Sequence, residues 1–207
     1  MTDRIRSLLD AGIALTSELS LDALLQNLTE TAAELTGARY AALGMIDRNR
    51  SELERFVTTR LDQETIACIG DLPRGRGILG VLIREAQPLR PHDISEHPRS
   101  VGFPPHHLTM RPFLGVPILL RGVASGNLYL IEKERGGDFT TEDQELVTLL
   151  ASQAAVAIEN ARLFESAKRW SDQLESLIVG MEVRAWPVSS CSSPGKGTTP
   201  VVEIPVR

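Results

Sequence analysis

The chain opens with two apolar patterns at helical spacing. Ile5, Leu8, Leu9, Ile13 and Leu15 predict a first helix, and Leu24, Leu25, Leu28, Ala32 and Leu35 a second. Residues three and four apart share one face of a helix, so each segment can bury a stripe. Ser20 stands where an N-cap belongs, and Gly37 stands where a left-handed C-terminal stop is wanted. From Ala38 the character changes. Ala38–Ile46 reads as a buried strand, the polar run 47–51 as a turn, and Leu53–Thr59 as the returning strand. Residues 62–70 and 77–84 predict short helices. Phe113–Leu120 and 123–131 are the clearest strands, with Arg121-Gly122 between them as a tight hairpin. After Phe139, Thr140 or Thr141 can cap a last helix whose first turn holds Glu142 and Asp143, the right charges for a helix N-terminus. Leu146, Leu149, Leu150, Gln153, Ala154, Ala157, Ile158 and Ala161 follow at helical spacing, and the pattern continues to Leu163 and Phe164. It then runs past Trp170 to Leu174, Leu177 and Ile178. Two helices, a set of strands with inserted helices and a long terminal helix make an α+β fold, an antiparallel sheet with flanking helices.

Composition narrows the function classes. The 207 residues suffice for one domain with a real core and extensions. A net charge of −5 offers no electrostatic footprint for nucleic acid. No apolar run is long enough to span a bilayer, so no membrane partner is expected. The start, Met1-Thr2-Asp3-Arg4-Ile5-Arg6, has an early acid and no uninterrupted apolar core, unlike a secretory signal. Cys68 and Cys191 sit in different contexts without ligand spacing. The expectation is a reduced, cytoplasmic protein.

Candidate chemistry concentrates in Gly102-Phe103-Pro104-Pro105-His106-His107, just ahead of the apolar run Phe113-Leu114-Gly115-Val116-Pro117. The prolines fix φ and limit how far the loop can wander. A histidine held there can be aimed into an apolar pocket, which is the protein's share of a heme site. His97, before Pro98, reads as a turn residue, and His92, beside Asp93, has no need of a metal. The four histidines lack the partners and spacing of a zinc set. Pro73-Arg74-Gly75-Arg76-Gly77 lacks the Gly-Lys-Ser/Thr ending of a phosphate loop and reads as a turn. No serine–histidine–acid order or paired-carboxylate setting points to catalysis, so the chain is not expected to be an enzyme.

The ending Asp138-Phe139-Thr140-Thr141-Glu142-Asp143 with Ala154-Ala155-Val156-Ala157-Ile158-Glu159-Asn160-Ala161-Arg162-Leu163 resembles the C-terminal helix of a GAF domain. Phe113-Leu114-Gly115-Val116-Pro117 with Gly126-Asn127-Leu128-Tyr129-Leu130 is similar to that family's last strands. The resemblance covers roughly residues 5–168. It implies an N-terminal helix at 1–18, a GAF sensor domain at 19–168 and a signalling-helix extension at 169–185. The Ser-, Pro- and Gly-rich stretch 186–207 reads as a disordered tail.

A narrower resemblance rests on Leu72-Pro73-Arg74-Gly75-Arg76-Gly77-Ile78-Leu79-Gly80, Pro88-Leu89-Arg90, His97-Pro98 and Gly102-Phe103-Pro104-Pro105. Together these look like the first GAF domain of the actinobacterial dormancy-survival sensor histidine kinases (DevS/DosT type). That resemblance implies a b-type heme sensing a diatomic gas (O2, NO, CO) or redox state. It makes His107 the proximal iron ligand, with His106 as a flanking residue and the one rival. It places Tyr129 in the distal pocket, Phe56 on its wall and Gly44 at its mouth. On a strand the Tyr129 side chain points opposite to Leu128 and Leu130, so its hydroxyl can donate toward a bound ligand. Read without the resemblance, Tyr129 and Phe56 are core aromatics, and Gly44 is a strand bulge or close-packing site. The same resemblance implies a homodimer through the terminal helices. With no phosphoacceptor or ATP-binding domain legible, the chain reads either as a free-standing sensor acting on a separate kinase or response-regulator partner or as a truncated relative of a kinase. The alternative is a heme-free GAF module that dimerises or binds a small molecule. A reductase of methionine sulfoxide is a distant third, because Cys68 and Cys191 share no motif.

Overall fold

The computed structural model describes residues 2–47, 53–60, 78–100 and 111–180. The expected helix at 62–70, both cysteines, the loop carrying His106 and His107, and the tail at 186–207 lie outside the described residues. Contacts divide the chain into two units, Met1–Arg169 and Trp170–Arg207.

Among the described residues there are nine elements, and all but the 3-10 turn follow the predicted order. They are α1 (Thr2–Ser17), α2 (Leu21–Thr36), β1 (Ala38–Ile46), β2 (Leu53–Thr59), α3 (Ile78–Glu85), a 3-10 turn (Ile94–Glu96), β3 (Phe113–Leu120), β4 (Val123–Lys133) and α4 (Thr141–Gly180). The four strands form one antiparallel sheet in the order β2-β1-β4-β3. Local chemistry sets the boundaries. Ser20 Oγ accepts from the Ala23 N–H at 3.4 Å. Gly37 adopts φ 67° and donates its N–H to the Ala33 and Glu34 carbonyls, closing α2. Arg121 and Gly122 both take positive φ, 52° and 79°, as a two-residue hairpin turn between right-twisted strands requires.

The sheet sorts its residues by parity. Leu43 and Met45 of β1, Val116 and Ile118 of β3, and Leu128 and Leu130 of β4 are fully buried in one cluster. The same cluster takes Leu24, Leu25, Leu28 and Ala32 from α2 and Leu146, Leu150, Ala154 and Ile158 from α4. Successive strand side chains alternate faces, so this helix-covered side collects one parity of each strand.

Two expected stripes divide. On α1, Leu8 and Leu15 are buried while Ile5, Leu9 and Ile13 are exposed. Leu8 and Leu15 lie nearly in line, two turns apart; the other three follow a separate line around the helix, and only one line reaches the core. On α4, Leu149, Leu163 and Phe164 are likewise exposed, whereas Leu146, Leu150, Ala154 and Ala161 are buried. Helical spacing predicted the helix without saying which of two apolar lines would be covered.

The start of α4 is tied down by Asp143. Thr140 and Asp143 form a reciprocal cap: the Asp143 N–H donates to Thr140 Oγ1 at 3.1 Å, and the Thr140 N–H donates to Asp143 Oδ2 at 2.8 Å. Lys133 Nζ reaches the same carboxylate at 2.6 Å and Arg4 approaches it at 3.5 Å. Burial alone would push the Asp143 carboxyl up, but Lys133 and the Thr140 groups outweigh it and hold the carboxyl below its usual range. A depressed folded-state value contributes stability that is present above the unfolded value, about 3.9, and is lost as the pH falls through the folded value. Asp143→Asn is expected to lower stability at pH 7. In urea unfolding measured from pH 7 downward, the gap to the parent should close as acid protonates Asp143.

Candidate functional site

The opposite face of the sheet carries a second, smaller apolar layer. Register places Ala42 of β1, Tyr129 of β4 and Gly115 of β3 side by side, with Gly44 beside Asn127 and Phe56 one step along. Ala42, Phe113, Tyr129 and Ile131 pack with Ile78 and Leu82 of α3 and with Ile94 of the 3-10 turn. Phe56, Tyr40 and Leu89 flank this layer, half-buried. The Phe113 and Tyr129 rings stand 6.1 Å apart at 33°.

Two glycines shape this face. A Cβ on Gly115 would meet Leu82 Cδ1 at 2.6 Å and Phe113 Cε1 at 2.8 Å, so the bare backbone there lets α3 settle against β3. A Cβ on Gly44 would meet Leu53 Cδ2 at 3.0 Å, Phe56 Cδ2 at 3.7 Å and Tyr129 Cε2 at 4.0 Å. Gly44 is thus the close-packing site that the strand pattern allowed, and the β1–β2 register shift falls one step later, between Met45 and Ile46. Three of the predicted site residues, Gly44, Phe56 and Tyr129, meet at one spot. His106 and His107 lie outside the described residues.

Tyr129 is the polar centre of the patch. It points away from Leu128 and Leu130, which belong to the other cluster, and only 5% of it is exposed. Burial pushes its phenol well above the ordinary value, against a smaller opposing effect of its hydrogen bond with the Asn127 side chain. The hydroxyl therefore stays protonated and able to donate throughout the physiological range. Asn127, itself 1% exposed, was missed by sequence reasoning. A lone amide directly ahead of the apolar run Leu128-Tyr129-Leu130, within the same strand, was the available signal, since buried polar groups need partners.

A loop links this face to the start of α4. The Leu89 N–H donates to the Gly115 carbonyl at 2.9 Å, and the Gly115 N–H returns a bond to Leu89 at 2.8 Å. The next residue, Arg90, donates to the Phe139 carbonyl at 2.7 Å and to Thr141 Oγ1 at 3.3 Å. Asp93 accepts from the Ser95 N–H at 2.8 Å and pairs with Arg111, which fixes the turn that delivers Ile94. His92 Nδ1 lies 2.6 Å from Asp138 Oδ1. Among the described residues no three His, Cys, Asp or Glu side chains are grouped to hold a metal ion. Elsewhere, a cleft of about 790 Å³ opens between α1, α2 and the turn after β4. Its charges are mixed, with Arg4, Lys133 and Arg135 set against Asp10, Glu34 and Glu134, so it selects no sign.

The sequence profile of the GAF domain family matches residues 18–159, most of the chain. The chain belongs to the GAF domain family. The GAF domain of a phosphoenolpyruvate-protein phosphotransferase from Coxiella burnetii superposes with a TM-score of 0.68 at 22% identity. It covers 80% of this chain and 98% of its own. Free methionine-R-sulfoxide reductase from Neisseria meningitidis, solved with its substrate, gives 0.62 at 19% identity over 77% and 90% of the two chains. A probable 3',5'-cyclic phosphodiesterase of Caenorhabditis elegans is 22% identical over 81% of this chain, which spans 24% of that longer protein. At these identities the likeness to solved structures is one of fold, and GAF folds serve both regulatory and catalytic proteins. Among the described residues of this GAF domain, no helix is long and apolar enough to cross a membrane.

The His92–Asp138 pair yields a direct check on the loop. The Asp138 hydrogen bond, then its charge, raise the His92 pKa above the ordinary 6.5. A raised value means the pair's contribution is complete below the unfolded value and lost as the pH rises through the folded one. An NMR titration should place the His92 midpoint above 6.5, and Asp138→Asn should bring it back.

Proposed function

We propose that this GAF domain is a non-catalytic sensor whose ligand lies against the Tyr129 face of the sheet, and that the ligand is heme b. The observation that carries this reading is the convergence of Gly44, Phe56 and Tyr129 at one apolar spot with a single buried hydroxyl. The donor set fits the group in kind. An apolar wall suits a tetrapyrrole, and a protonated phenol held by Asn127 suits a small polar ligand above it. His107, by its resemblance to the gas-sensing GAF domains, would hold the iron, with His106 beside it. Bound heme would supply a metal that takes O2, NO or CO or changes oxidation state.

The chain's own residues do the rest. Tyr129 offers a proton to a hydrogen bond without giving it up. Phe56 and Leu53 stand over Gly44 and govern entry. The Leu89–Gly115 pairing and the Arg90 clamp join the layer over this face to the first turn of α4. Any displacement of that layer therefore loads the start of the long helix. The class of partner this implies is a kinase or response regulator, in the same polypeptide or a separate one. The close packing of Leu53 and Phe56 over Gly44 favours a second reading, a heme-free module for a smaller apolar ligand.

An absorption spectrum after hemin addition and desalting tests the proposal. A saturable Soret band at one heme per chain is the expected outcome. His107→Ala should lose it and His106→Ala keep it. Tyr129→Phe should retain heme but change its affinity for carbon monoxide or oxygen by about tenfold, the value of one hydrogen bond. No retained heme in the parent leaves the heme-free reading.

A further inference from the structure

Asn127 stands in a row of the sheet that gives an amide little to bond. Strand register sets it between Gly44 of β1 and Pro117 of β3. Glycine has no side chain and the proline ring carries no polar atom, so neither neighbour in the row offers a side-chain partner. Side chains two apart on a strand share a face, which leaves Ser125 on one side and Tyr129 on the other. The Ser125 hydroxyl donates to the Ile118 carbonyl at 3.1 Å. Tyr129 is the side chain that the amide meets, and the two residues are 5% and 1% exposed. Burying an amide costs free energy unless it is hydrogen-bonded, and a leucine would fill the same space without that cost.

The direction of this bond decides what the phenol can do. An amide has two donor hydrogens and one acceptor oxygen, whereas a phenol has a single proton and can also accept. Burial raises the phenol pKa, and the amide bond opposes that rise. A donor to the phenol oxygen has that effect; an acceptor of the phenol proton has the opposite one. The Asn127 NH2 group therefore donates, the phenol oxygen accepts, and the phenol proton stays out of the bond. Ala42 and Gly115 lie beside Tyr129 in register and the Phe113 ring stands 6.1 Å away. None of these side chains can accept the proton.

We infer that Asn127 is the positioning residue of this site: by donating to the Tyr129 oxygen it turns the phenol proton away from itself and toward the ligand. The site then selects ligands that accept a hydrogen bond. This rests on the reading of the Tyr129 face as the ligand site. A phenol free to rotate about its C–O bond presents either its proton or its lone pairs. With the amide seated on the oxygen, the donor orientation is the one left. Of the gases named above, oxygen accepts hydrogen bonds well and carbon monoxide poorly, so a steered donor separates the two and an unsteered one separates them less.

Two measurements test this, one of them without any ligand. Tyr40 and Tyr129 are the two tyrosines of the chain, so a Tyr40→Phe background isolates the Tyr129 signal. The tyrosine doublet in ultraviolet resonance Raman spectra reports whether a phenol oxygen accepts a hydrogen bond. It should show an accepting phenol in the ligand-free parent and lose that signature in Asn127→Leu. Asn127→Ala serves in its place should the leucine variant lose far-UV circular dichroism. In the hemin-loaded chain, the ratio of oxygen to carbon monoxide affinity should fall by about threefold in Asn127→Leu, part of the way to Tyr129→Phe. Added to Tyr129→Phe, the Asn127 substitution should change the ratio no further. A parent doublet that reports a donating phenol, or one that Asn127→Leu leaves unchanged, would overturn the inference. So would affinities for both gases that shift together, or an Asn127 effect that persists in Tyr129→Phe. A parent that retains no hemin removes the heme reading, while the Raman result still decides whether Asn127 orients the phenol.

Discussion

The alternation of side chains across the four-stranded sheet governs everything else in this molecule. Each strand must give one parity to the helices, and the antiparallel register then dictates what the other parity meets. Leu43, Val116 and Leu128 satisfy α2 and α4. That commitment places Ala42, Gly115 and Tyr129 in a row on the far side. A slip of one residue in β4 would send Leu128 and Leu130 outward and bring Tyr129 and Asn127 into the leucine core. The helix-covered core is thus what holds the candidate site in register.

The far side is built differently because its task is different. The main core is mostly Leu, Ile, Val and Ala, with Met45 and Phe139, packed between the sheet and the helices. The second layer mixes aromatics, two glycines and a phenol–amide pair. Glycine at 115 lets α3 approach the sheet, while glycine at 44 makes room for Leu53 and Phe56 next to the Tyr129 ring. Leu89 and Arg90 then couple that layer to α4 through backbone pairing on one side and a guanidinium clamp on the other. The acceptors of this clamp, the Phe139 carbonyl just ahead of the helix and the Thr141 hydroxyl in its first turn, tie the loop to the start of α4.

α4 has two masters. Its line through Leu146, Leu150 and Ala154 belongs to the sheet, and its line through Leu149, Val156 and Leu163 belongs to nothing within the described chain. The two lines lie well apart around the helix axis. The Asp143 cap, held by Lys133 and Arg4, fixes where the helix begins and hence the phase of both lines.

Much of this was legible in the sequence. The four helices of the described residues, the four strands, the Ser20 and Thr140 caps, the Gly37 stop and the Arg121-Gly122 hairpin follow from local sterics and hydrogen-bonding rules that act within a few residues. So does the opposition of Tyr129 to Leu128 and Leu130. Other features depended on contacts between distant segments. Helical spacing could not separate Leu8 and Leu15 from Ile5, Leu9 and Ile13, because periodicity defines lines on a helix while the neighbouring elements choose which line is covered. Nor could it pair Tyr129 with Asn127 as a buried polar couple, bring Gly44 beneath Leu53 and Phe56, or join Arg90 to the start of α4. Strand register and the approach of α3 decided those, since they are set by the packing of the whole sheet.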